Sequence, residues 1–212
     1  LAYRLAGLCV LDPFYLIVDS AAWIERLLPH GVRLVQLRIK DVSVERRREE
    51  IARSRDLCAR HGAQLIVNDF WQDAIELSCD YVHLGQGDLD TADVAVIRKA
   101  GLKLGISTHD EAELARALTF APDYVALGPI YPTILKQVPF APQGLARLGE
   151  WRTKIGTTPL VGIGGISLAR AKGVLDAGAD SAAVVTDITL NADPEARCRS
   201  WVEATRAFAV AG

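Results

Sequence analysis

Eight short apolar runs, each followed by a stretch with helix-like spacing, constrain this chain more than any other feature. The runs are Phe14 to Val18, Val32 to Arg38, Gln64 to Val67, Tyr81 to Leu84, Lys103 to Ile106, Tyr124 to Leu127, Leu160 to Ile163 and Ser181 to Val185. Helices are predicted over Ala21 to Leu28, Val42 to Arg60, Phe70 to Ser78, Thr91 to Ala100, Asp110 to Leu118, Gly144 to Lys154, Leu168 to Ala177 and Pro194 to Phe208. Short apolar runs of this kind suit strands buried on both faces. Their alternation with helices implies parallel strands joined by helical crossovers. Eight units in 212 residues favour a closed (β/α)8 TIM barrel over an open doubly wound sheet. No linker-like or low-complexity segment interrupts them, so a single domain is expected over residues 1–212.

Such a barrel gathers the carboxyl ends of its strands on one face, where active sites sit. That makes the residues following each run the ones to read for chemistry. Leu65-Ile66-Val67 runs into Asn68-Asp69, which puts an amide and a carboxylate where a buried strand meets its loop. Gln36, Arg38 and Lys40 alternate along the second run and so share one side of a strand. Buried cations there call for an acidic ligand or internal carboxylates; the alternative is a strand end at which Arg38 and Lys40 are solvated.

The fourth unit adds Asp88 through the glycine-rich turn His83-Leu84-Gly85-Gln86-Gly87-Asp88. Carboxylates about 4 Å apart repel by roughly 1 kcal/mol in water and by about 4 kcal/mol at an effective dielectric near 20, so a close pair calls for a cation. Oxygen donors of this kind suit Mg²⁺, which completes its shell with water and phosphate oxygens. Asp69 and Asp88 are therefore the expected metal ligands, and helix capping is the ordinary alternative for both. His83, between Val82 and Leu84, reads as a packed core residue. Ser107 follows the fifth run and is placed either to donate to a phosphate or to cap a helix.

In the sixth unit, Thr133 and Lys136 lie in a long loop placed to cover the mouth. In the seventh, Gly162-Ile163-Gly164-Gly165-Ile166-Ser167 lets backbone N–H groups approach a phosphate, and Val185 and Thr186 stand where the eighth unit would complete that pocket.

The composition narrows the partners. Lys and Arg number 24 against 26 Asp and Glu, which gives no bulk charge for nucleic acid or an anionic membrane. No apolar run reaches the roughly 18 residues that cross a bilayer. The four cysteines are scattered without a C-x-x-C pair, as reduced structural thiols would be. With no convincing signal-peptide cleavage pattern, the cytoplasm is expected.

Taken in order, Val35-Gln36-Leu37-Arg38-Ile39-Lys40, Ile66-Val67-Asn68-Asp69, Val82-His83-Leu84-Gly85-Gln86-Gly87-Asp88, Gly105-Ile106-Ser107-Thr108-His109, Gly128-Pro129-Ile130-Tyr131-Pro132-Thr133 with Lys136, and Gly162-Ile163-Gly164-Gly165-Ile166 resemble the thiamine phosphate synthase family over nearly the whole chain. The resemblance implies condensation of 4-amino-2-methyl-5-hydroxymethylpyrimidine diphosphate with a thiazole phosphate, giving thiamine monophosphate and diphosphate. It implies that Gln36, Leu37, Arg38, Ile39, Lys40, Asn68, Ser107 and Lys136 bind the pyrimidine diphosphate. Arg38, Lys40, Ser107 and Lys136 would be the catalytic groups, and Asp69 and Asp88 would hold Mg²⁺ as cofactor. Thr133, Leu135, Gly165, Val185 and Thr186 would line the thiazole phosphate site. The implied mechanism is dissociative and needs no protein nucleophile. Leu135 stands where the family often has Thr, and Thr186 where Ser is common. A related thiazole tautomerase would need the phosphate pocket but has no evident use for the cations and carboxylates. A noncatalytic phosphate-binding barrel is the other alternative, and a homo-oligomer is left open.

Overall fold

A computed structural model describes residues 11–133 and 141–209. Their core is a closed barrel of parallel strands in sequence order: β1 (Phe14–Val18), β2 (Leu34–Leu37), β3 (Gln64–Asn68), β4 (Tyr81–Leu84), β5 (Lys103–Thr108), β6 (Tyr124–Leu127), β7 (Leu160–Ile163) and β8 (Ser181–Val184). Pairing of Leu16 with Val35 on one side and with Val184 on the other closes the ring. The helices between strands are α1 (Ala21–Leu27), α2 (Val44–His61), α3 (Trp71–Glu76), α4 (Val94–Lys99), α5 (Glu111–Thr119), α6 (Gly144–Ile155) and α7 (Leu168–Asp176), followed by α8 (Thr186–Thr189) and α9 (Pro194–Ala209).

Each strand buries both faces, which is why the runs read as continuously apolar. Two separate clusters result. Tyr15, Ile17, Leu34, Ile66, Tyr81, Tyr124, Ala126, Val161 and Ala183 fill the barrel interior. A larger set, including Leu16, Val35, Leu37, Val67, Leu84, Trp151 and Trp201, packs the outer wall against the helices.

The predicted bounds of β1, β4, β6 and β7 coincide with those observed, and the other units differ at their ends for local reasons. Asp88–Asp90 form a 3-10 turn and Asp93 caps α4, so that helix starts later than Thr91. β5 continues through Ser107 to Thr108, whose hydroxyl bonds the Ala126 carbonyl at 3.0 Å and accepts from the Trp151 indole at 2.9 Å. The four-residue α8 was not anticipated, because one turn is too short to show a period.

Asp187 in α8 ties the last units together. Its carboxylate accepts from Arg197 Nε at 2.9 Å, Arg197 Nη2 at 2.9 Å, Trp201 Nε1 at 2.7 Å and the Leu168 amide that opens α7 at 3.1 Å. Burial raises its pKa, but the bonds from Arg197 and Trp201, with smaller help from Leu168, outweigh burial and hold it below the usual carboxylate range. A depressed carboxylate contributes stability above its unfolded pKa and loses that contribution as pH falls through the folded one. Asp187→Asn is therefore expected to cost about 2 kcal/mol at pH 7, the usual worth of bonds to a charged acceptor. The gap from wild type should narrow as pH falls below about 4, where the unfolded carboxyl is protonated, and close only once the folded carboxyl is protonated too. Urea unfolding at pH 7 and pH 3 measures both; a gap unchanged at pH 3 would refute the charge-based account.

Cys58, Cys79 and Cys198 are buried free thiols, with pKa values pushed up by burial to about 12, 11 and 12, which makes them poor nucleophiles. Cys9 lies outside the described residues. Among the described residues no helix is long and apolar enough to cross a membrane.

Candidate active site

The carboxyl ends of β2 to β5 form one half of the barrel mouth. Gln36 points inward from β2 and is buried, whereas Leu37 and Ile39 belong to the outer core and offer the mouth only their backbone. Arg38 is half-buried just beyond β2, and Lys40 is exposed. Lys40 Nζ lies 3.8 Å from an Asp69 carboxylate oxygen, so the internal acid demanded by these cations is present.

Asn68 is the last residue of β3 and is buried. Asp69 takes a left-handed conformation (φ 65°), uncommon outside glycine but tolerated by Asp, with its amide bonded to the His83 carbonyl at 2.9 Å. The capping alternative does not hold for Asp69, since α3 starts from Phe70 without a side-chain cap. Asp88 instead closes its own turn, accepting from the Gly85 amide at 2.9 Å. Burial, and next the neighbouring Asp88 carboxylate, push the Asp69 pKa up to about 6 against the pull of Lys40 and Arg38. The Asp88 carboxylate is close enough to disfavour the charged form of Asp69 in this way.

A column of polar groups crosses the barrel interior beneath them. Gln36 Nε2 donates to Tyr15 Oη at 2.8 Å, Tyr15 Oη meets Tyr124 Oη at 3.0 Å, Tyr124 Oη meets His83 Nδ1 at 2.7 Å, and His83 Nε2 meets Ser107 Oγ at 2.8 Å. Burial pushes the His83 pKa down to about 4 and pushes both phenols up, so at pH 7 the imidazole is neutral and the phenols are protonated. A neutral imidazole has one donor and one acceptor. With the Gln36 amide oriented to donate, each group passes its proton along the column: Tyr15 donates to Tyr124, Tyr124 to Nδ1, and Nε2–H to Ser107. The Ser107 hydroxyl proton is then available to a ligand.

His83 is thus a core residue, as expected, but one that orients Ser107. Tyr15 and Tyr124 went unnoticed in the sequence because tyrosine in a strand reads as packing. Gln86 adds a second tie, its amide donating to the Ser107 carbonyl at 2.8 Å.

The opposite half of the mouth comes from β6 to β8. Gly164 and Gly165 both have positive φ (97° and 63°), and the Gly164 carbonyl accepts from the Tyr131 amide at 3.0 Å. A Cβ added at Gly165 would lie 2.3 Å from the Pro132 carbonyl oxygen, so this turn excludes any side chain. Thr133, Val185 and Thr186 are half-buried at the ends of the neighbouring segments. Leu135 and Lys136 lie outside the described residues.

A family profile described as thiamine monophosphate synthase matches residues 12–188. The chain belongs to this family. A thiamine-phosphate synthase of Rhizobium etli is 64% identical over 195 residues, covering 92% of this chain and 96% of the relative. One from Neisseria meningitidis serogroup A is 49% identical over 188 residues, covering 89% and 92%. The fold also matches a thiamine phosphate pyrophosphorylase structure from Pyrococcus furiosus with a TM-score of 0.83 at 24% identity, covering 93% of this chain and 96% of that one. The activity is accordingly that of a thiamine-phosphate synthase, a transferase of thiamine biosynthesis. Relative to the family's motifs, the barrel brings Gln36, Arg38, Lys40, Asn68, Asp69, Asp88 and Ser107 to one half of its mouth, and Thr133, Gly165, Val185 and Thr186 to the other.

Proposed function

We propose that the mouth joins an aminopyrimidine methyl diphosphate to a thiazole phosphate, with the diphosphate held over the β2–β5 half and the thiazole phosphate over the β6–β8 half. The observation that carries this division is the meeting of Lys40, Arg38, Asp69 and Asp88 at one side. A diphosphate would answer the two cations, and a divalent cation the two carboxylates. Gln36 and Asn68 orient the pyrimidine, and Ser107, poised by its column to donate, bonds a diphosphate oxygen. Leu37 and Ile39 contribute backbone only, given their outward side chains.

The reaction we infer is dissociative. The C–O bond to diphosphate breaks, the aminopyrimidine spreads the resulting positive charge, and the thiazole nitrogen donates its electron pair to the methylene carbon. Arg38 and Lys40, with Lys136 in the same role, stabilise the departing diphosphate as its charge grows. The thiazole phosphate is held by backbone N–H groups at Gly165 and Val185 and by the hydroxyls of Thr133 and Thr186.

Two crowded, partly buried carboxylates suit Mg²⁺ as a donor set. Among the described residues no group of three or more His, Cys, Asp or Glu side chains gathers as a metal site, so Asp69 and Asp88 would hold the ion together with water and diphosphate oxygens. When bound, Mg²⁺ would neutralise charge on the leaving diphosphate. We assign the protein to the cytoplasm.

The test follows diphosphate and thiamine monophosphate after mixing both substrates. Equimolar release of the two is expected with Mg²⁺, near-complete loss after chelation, and recovery on adding Mg²⁺ back. Equal turnover in the chelated enzyme would remove the metal from this scheme, and no product from the two substrates with folded enzyme and Mg²⁺ would remove the reaction.

A further inference from the structure

We infer that Arg170 is a positioning residue for the phosphate turn after β7, latching it to the segment that leads into Thr133; this rests on the assignment of that turn to the thiazole phosphate. Arg170 sits in the first turn of α7. A cation there opposes the helix dipole; the turn itself holds no acidic residue, and the carboxylate at its opening amide comes from Asp187, which bonds Arg197 and Trp201. Contacts outside the helix hold the Arg170 guanidinium instead. Arg170 Nη1 donates to the Gly165 carbonyl at 2.6 Å, and the guanidinium carbon lies 4.3 Å from the centre of the Tyr131 ring.

These contacts orient two successive peptides. In a trans peptide the C=O and the following N–H point to opposite sides. The Gly164 carbonyl is fixed by the Tyr131 amide and the Gly165 carbonyl by Arg170, so the N–H groups of Gly165 and Ile166 are held on the side away from those bonds. With positive φ at both glycines, this leaves backbone donors to form an anion-binding concavity. Glycine is the most flexible residue, so a Gly-Gly turn without external ties loses most entropy on ordering around a ligand. Arg170 holds that order before the ligand arrives. The same guanidinium rests on Tyr131, two residues before Thr133, so one side chain ties both walls of the phosphate site together.

Arg170 is exposed, and Arg170→Ala should fold with a thermal midpoint close to wild type. Its KM for the thiazole phosphate is expected to rise about tenfold, equivalent to about 1.4 kcal/mol. The KM for the pyrimidine diphosphate and kcat at saturation should stay within about twofold of wild type. Calorimetric titration with the thiazole phosphate should show the same weakening without turnover. Thr186→Val, run beside it, tests the site assignment. If Thr186→Val raises the thiazole phosphate KM and Arg170→Ala does not, the inference fails and the site stands. If neither moves it, the site assignment fails as well. If Arg170→Ala raises both KM values together or lowers the thermal midpoint markedly, its role is structural and the inference is overturned.

Discussion

Asp69→Asn is expected to lower Mg²⁺-dependent kcat/KM on the order of a hundredfold or more, about 3 kcal/mol of lost transition-state stabilisation, while leaving the fold as stable as before or slightly more so. The two halves of that expectation have one source. Asp69 is largely shielded from water, sits beside Asp88, and gains a 3.8 Å ion pair from Lys40, whose side chain is 53% exposed, and a weaker pull from Arg38. An exposed partner of this kind contributes little to stability, so burial and like-charge repulsion are left uncompensated without a bound cation. Asparagine keeps the size and accepts the left-handed backbone at φ 65°, so the loop survives the change. What disappears is one of the two carboxylates proposed to hold the metal. Initial rates across a Mg²⁺ titration, with thermal unfolding alongside, check both halves. Wild-type rates at limiting Mg²⁺ would remove Asp69 from the metal site, and a large stability loss would show that the carboxylate serves the fold instead.

The barrel was legible because a closed parallel sheet needs strands buried on both faces, and such strands announce themselves as short apolar runs. The candidate site was legible only where a side chain's type is out of place in its setting. Asn68 and Asp69 after an apolar strand are of that kind, as are Arg38 and Lys40 alternating with Leu37 and Ile39. In that last stretch the period of two already separates Gln36, Arg38 and Lys40 from Leu37 and Ile39, and the observed burial follows it. The contiguous family motif blurred this distinction by naming all five.

Capping was harder to judge. Asp93 and Asp110 do cap helices, accepting from Val96 and Glu113, whereas Asp69 does not. The difference lies in backbone angles that neighbouring residues do not reveal. The interior column was hidden for another reason. Tyr15 and Tyr124 are far apart in sequence and are brought together only by barrel closure, and their hydroxyls acquire direction only through Gln36 and His83.

Gly105 shows how that column is accommodated, and Gly105→Ala is expected to destabilise the fold by about 3 kcal/mol. Gly105 lies between His83 on β4 and Tyr124 on β6 in the barrel wall. The Tyr124 ring crosses in front of it to stack on His83, with centroids 5.5 Å apart and planes 16° apart. A Cβ at Gly105 would fall 2.1 Å from Tyr124 Cζ and 2.6 Å from its hydroxyl oxygen, so the ring must move. Restricting the unfolded chain would return only about 0.4–1 kcal/mol, and only where the native site accepts a methyl without strain; here overlap wins. Displacing the ring also breaks the bonds at 3.0 Å to Tyr15 and 2.7 Å to His83, and with them the orientation of Ser107, so activity should fall along with stability. A double-mutant cycle with Tyr124→Leu isolates the cause. Tyr124→Leu alone should destabilise, but adding Gly105→Ala to it should cost little more, because the ring that the methyl strikes is gone. Urea midpoints with an unchanged m-value report the four stabilities. Additive losses would mean that the methyl acts on the barrel wall itself, and that the glycine does not exist to make room for the column.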